Sequence, residues 1–138
     1  MPNSIKWIVF VTGWMTFRAI GSSLFLFWNI TGHERGAPSE WVLALVGDFI
    51  IGTTALFLVY FILKKPSYLI WGLLLFWNIL GVLDLFGAIT TSLQVPYGPL
   101  PEIGLTNLGV RFVLILNTLL QISCIFLLFK DSVRNYFV

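Results

Sequence analysis

Four ionisable side chains interrupt the apolar stretches of this chain: Arg18, Asp48, Asp84 and Arg111, one in each of four runs. A charge at the centre of a membrane helix costs about 2.5–3.5 kcal/mol on insertion scales, so such residues turn toward other helices and pair. Two positive and two negative charges can cancel. A cancelled cluster either locks helices in register where apolar association is weak, or binds a polar solute, carries a proton or gates a path. The same runs hold Ser22, Asn78, Asn117 and Gln121, whose hydroxyl and amide groups suit hydrogen bonds between helices.

The elements that must position these residues follow from composition. Of the 138 residues, 58% are hydrophobic and only 10% charged, against about 25% charged in a soluble domain; the mean hydropathy is +0.93. The expectation is an all-α membrane protein, a four-transmembrane-helix bundle forming one domain over residues 1–138, with the lipid bilayer as its solvent. A helix needs roughly 20 apolar residues to cross the hydrocarbon core, and four runs qualify: 7–29, 41–63, 68–90 and 108–129. Loops at 31–40 and 91–107 carry the glycines and prolines that end helices. Ser39 and Ser67 are placed to cap the second and third spans. The first run is longer than the apolar core of a signal peptide and is expected to stay in the mature chain.

Lys6, Lys64, Lys65, Lys130 and Arg134 share the side that holds both termini, whereas Arg35 stands on the other beside Glu34 and Glu40. The positive-inside rule makes both termini cytoplasmic and turns the loops 31–40 and 91–107 outward. Trp28 and Trp41 are expected to anchor the outer interface, Trp7 and Tyr68 the inner one. The second outer loop is apolar, with Leu93, Val95, Tyr97, Leu100, Ile103 and Leu105, and is expected to cap the bundle. The words LFLFWNI (24–30) and LLLFWNI (74–80) look like a repeat, but they fall at different depths and are read as chance.

Depth decides which charges can meet. At 1.5 Å per residue, Asp48 lies about 10 Å below Trp41 and Asp84 about as far below the end of its span. Arg111 enters its own span close to that layer, and Arg18, about 15 Å below Trp28, can reach up to it. A buried cluster of Arg18, Asp48, Asp84 and Arg111 is expected. Gly47 and Gly52 beside Asp48, and Gly81, Gly87 and Ala88 around Asp84, would let the backbones approach. Asn78, about 9 Å from Asp84 along the same helix, falls outside that layer.

Several chemistries lack their residues. Cys124 is the sole cysteine and His33 the sole histidine, so no intrachain disulfide and no bis-histidine haem can form. His33 with Glu34 and Glu40 is read as solvated loop rather than a metal site. No glycine-rich phosphate loop or nucleophile–base pair is visible, and no nucleic-acid surface; no cofactor, metal or catalytic residue is assigned, and no enzyme is expected.

Trp77-Asn78, Gly81, Asp84-Leu85 and Ala88 form the pattern WN-x-x-G-x-x-DL-x-x-A. With the proline-containing loop and last apolar helix that follow, it resembles an uncharacterised family of small bacterial four-helix inner-membrane proteins. The segment 41–55 with Gly47-Asp48 is similar to the second helix of that family, and Arg18 with Gly21 resembles the first span of the DoxX-like superfamily. Arg111 departs from the family, whose last helix tends to carry no arginine. The resemblance implies a four-helix inner-membrane fold and brings no activity with it. Two functions stand open: a scaffold, accessory subunit or small interaction protein that pairs with other membrane subunits or with itself, and, as alternative, a small oligomeric transporter or channel using the Arg/Asp cluster to bind or gate a polar solute or proton.

Overall fold

A computed structural model describes residues 1–96 and 106–138, and all regular elements among them are helical. They are α1 (Asn3–Trp14), α2 (Thr16–Ile30), a 3₁₀ turn (Ser39–Trp41), α3 (Val42–Lys64), α4 (Tyr68–Gln94), α5 (Asn107–Leu128) and α6 (Asp131–Tyr136). Four stretches are long and apolar enough to cross a membrane: Asn3–Ile30, Ser39–Lys64, Tyr68–Gln94 and Asn107–Leu128. Large side chains on their outer faces stay uncovered, among them Leu43 at 82% and Phe57 at 69% exposure. So much contiguous apolar surface is tolerable in lipid and a liability in water. Tyr97, Leu100, Ile103 and Leu105, expected in a cap, lie outside the described residues.

The first span is one path made of two helices. At Met15 the ladder tightens: Met15 N–H reaches the Val11 carbonyl, but Arg18 N–H returns only three residues to the Met15 carbonyl, the short 3₁₀ bond that interrupts α-helices. Two local features favour a bend here. The Thr12 hydroxyl donates to the Ile8 carbonyl 2.7 Å away, a back-bond that bends helices, and Gly13 is a poor interior helix former. The consequence is a change of neighbours. Below the break α1 packs against both α3 and α5, whereas above it α2 follows α3.

Two apolar cores flank a polar middle. The core at the end holding both termini gathers Ile5, Ile8, Ile62, Ile70, Leu128 and Phe137; the core at the other end gathers Trp41, Ala44, Leu85, Ala88 and Leu114. Helix α6, absent from the sequence-based expectation, closes the first end by burying Val133 and Phe137 fully and donating the Tyr136 hydroxyl to the Ile62 carbonyl at 3.0 Å. Ser67 caps α4 as expected, accepting from Ile70 N–H at 3.3 Å. Ser39 does not cap α3: it opens the 3₁₀ turn and its hydroxyl turns to Glu40. Trp41 is only 3% exposed, so it is no interface anchor; its indole donates to the Val95 carbonyl at 2.6 Å, just past the end of α4.

Candidate functional site: a buried arginine between two aspartates

Arg18 stands one turn beyond the break at Met15, on the face of α2 that meets α3. Its Nε donates to Asp48 Oδ1 at 2.8 Å, and its Nη2 donates to the same oxygen at 2.5 Å and to Asp84 Oδ2 at 2.8 Å. Nη1 donates to Gln121 Oε1 at 2.7 Å. The Gln121 amide passes the chain on to Asn78 Oδ1 at 3.5 Å, and the Asn78 amide ends it on the Leu74 carbonyl at 2.9 Å. One network therefore joins α2, α3, α4 and α5. The Arg18 side chain is 4% exposed and each carboxylate side chain 17%, a depth at which an unpaired charge would be costly and paired, hydrogen-bonded groups persist.

Small residues permit this contact, as the sequence suggests for three of the four glycines. A Cβ on Gly47 would strike the Asp84 carboxylate, one on Gly81 the Gln121 amide, and one on Gly52 the backbone of Ala19. Gly87 faces open space and has no such role.

Arg111 does not join the cluster. Its Nη2 donates to the Ser92 carbonyl at 3.0 Å, and its Nε is buried without a partner; among the described residues the ion pairs inside the bundle are those of Arg18 with Asp48 and Asp84. The reason is axial distance. Helix α4 runs on to Gln94, which sets Asp84 ten residues, about 15 Å, from the helix end rather than the six assumed from a span ending at residue 90. Arg111, in the second turn of α5, reaches that end, about 15 Å along the helix from Gln121. There it satisfies a last-turn carbonyl of α4 that has no partner within its own helix, a C-cap suited to a cation. Gln121 takes the place in the cluster expected of Arg111.

The other expected polar residues have separate tasks. Asn117 accepts from the Trp14 indole at 3.0 Å and so ties α5 to the end of α1. The Ser22 hydroxyl donates to the Ala19 carbonyl at 3.2 Å within its own helix. Asn78 is an interhelical partner of Gln121, which draws it into the network despite its depth. His33 accepts from Arg35 N–H at 3.0 Å and stacks on Trp28; Cys124 is buried in the first core.

A cleft of about 280 Å³ lies between α2 and α5, beyond the break at Met15. Arg18, Asp48, Ser22 and Asn117 give it polar groups. Its walls are apolar and aromatic, including Trp14, Phe17, Phe25 and Trp41. Phe17 and Val113, both lining residues, are 59% and 46% exposed, so the cleft reaches the lateral surface of the bundle. The sequence carries no proline to announce the break beside this cleft.

No family model, curated protein or solved structure matches this chain.

Proposed function

We propose that this chain is a small, non-enzymatic, multi-pass protein of a bacterial inner (plasma) membrane with both termini cytoplasmic, and that it binds a solute in the α2–α5 cleft against the Arg18–Asp48–Asp84 cluster, as a small transporter would. The orientation rests on Lys6, Lys64, Lys65, Lys130 and Arg134 at the terminal end. The binding role rests on one observation: the cluster is not sealed in the bundle, because Arg18 and Asp48 line a cleft of about 280 Å³ with aromatic walls. A few convergent polar groups in an otherwise apolar pocket are what a small-molecule site presents.

The scaffold reading draws on a different observation. All three Arg18 nitrogens already have partners within the chain, as a purely structural lock requires. Self-association or a second membrane subunit would use the exposed apolar faces.

A thiol placed in the cleft separates these readings. Gly21 lines the cleft, and a Cβ built there meets nothing within 4 Å, so Gly21→Cys is accommodated. In vesicles, benzyl alcohol is expected to slow labelling of Gly21→Cys by N-phenylmaleimide saturably, while a Leu83→Cys control, at a lipid-facing position 59% exposed, shows no saturable protection. Equal behaviour of the two thiols would leave the scaffold reading standing alone.

A further inference from the structure

We propose that the solute class is a small lipophilic organic cation, entering the cleft sideways from the hydrocarbon region; this inference rests on the solute-binding role above. Charge comes first. Arg18 is shared by two carboxylates, of which Asp48 but not Asp84 lines the cleft, and the fourth intramembrane charge, Arg111, is turned to the Ser92 carbonyl. With both carboxylates ionised, the cluster is one positive charge short, in a low-dielectric setting where such a deficit matters.

Access selects the same sign. Every Arg18 nitrogen is engaged, and its side chain is 4% exposed against 17% for Asp48, so an anion entering the cleft meets a carboxylate and no free arginine donor. A cation meets Asp48 and the aromatic groups of Trp14, Phe17, Phe25 and Trp41, which attract positive charge through their ring faces. The Asn117 amide and Ser22 hydroxyl offer further polar contacts along the wall. The exposed lining residues Phe17 and Val113 put the mouth on the lateral surface, which requires a ligand soluble in hydrocarbon apart from its charge.

The test is a charge series on Gly21→Cys in vesicles: benzyltrimethylammonium, its neutral carbon isostere neopentylbenzene, and the aromatic anion benzenesulfonate. The cation is expected to protect the thiol from N-phenylmaleimide at a membrane concentration at least about tenfold lower than the neutral isostere, a difference typical of one desolvated charge or cation–π contact, and benzenesulfonate not to protect. Adding Asp48→Asn is expected to abolish the preference for the cation. Should that variant fail to fold, the comparison on native Asp48 still decides. Equal protection by the cation and the neutral isostere would overturn the cation assignment alone and mean that the cluster is already neutral. Absence of protection by all three, together with none by benzyl alcohol, would overturn solute binding itself.

Discussion

Replacing Arg18 with methionine is expected to cost about 3–5 kcal/mol of bundle stability, the penalty for removing one partner of a buried ion pair. Methionine keeps most of the volume, so the loss is electrostatic. Asp48 and Asp84 lose their common donor, and Gln121 Oε1 loses the Nη1 hydrogen bond. The comparison that identifies the cause is the triple variant Arg18→Met, Asp48→Asn, Asp84→Asn. It removes the charges together and is expected to regain most of the loss, because a neutral, hydrogen-bonded replacement leaves no buried carboxylate unpaired. Reversible unfolding in mixed micelles, followed by far-UV circular dichroism, measures both. A single variant as stable as the parent would mean that the cluster does not hold the bundle together.

The second large effect comes from a residue with no side chain. Gly52→Ala places a methyl group against the backbone nitrogen and Cβ of Ala19, and a backbone cannot rotate away as a side-chain tip can. Helices α2 and α3, which meet at this glycine, have to separate, and the cost is on the order of 1–3 kcal/mol as for other overpacked contacts. The sign is diagnostic. At Gly72 and Gly21 an added Cβ meets nothing within 4 Å, so alanine there is expected to stabilise by up to about 1 kcal/mol through helix propensity alone. The same unfolding experiment reads all three. Because Gly52 lies four residues beyond Asp48 on α3, the shift also draws Asp48 from Arg18, and Gly52→Ala in the Arg18→Met background is expected to cost less than in the parent.

Much of this was legible in the sequence, and the reasons differ from residue to residue. The four helices long and apolar enough to cross a membrane follow from hydropathy and run length alone. The pairing of Arg18 with Asp48 and Asp84 follows from the cost of isolated charge in a membrane. The misplacement of Arg111 traces to Thr90, Thr91 and Ser92, which look like the start of a loop. In the fold their hydroxyls donate to the carbonyls of Phe86, Gly87 and Ile89 in their own helix, so polar residues extend α4 without exposing unsatisfied groups. Trp41 misleads in a similar way. Its amphipathic ring fits an interface anchor, yet it is buried because its N–H finds the Val95 carbonyl. The break at Met15, like the cleft beyond it, depends on packing partners distant in sequence: Trp7 with Ser123 and Trp14 with Asn117 hold α1 to α5, while α2 follows α3.

Arg18, and not Arg111, is the ion-pair partner of the carboxylates in the middle of the bundle. Double-mutant cycles on unfolding free energy test this pairing directly, with Arg18→Met/Asp84→Asn as one cycle and Arg111→Met/Asp84→Asn as the other. A coupling of about 1–3 kcal/mol is expected in the first cycle and one within about 0.5 kcal/mol of zero in the second. A strong coupling of Arg111 to Asp84, or none between Arg18 and Asp84, would contradict that pairing.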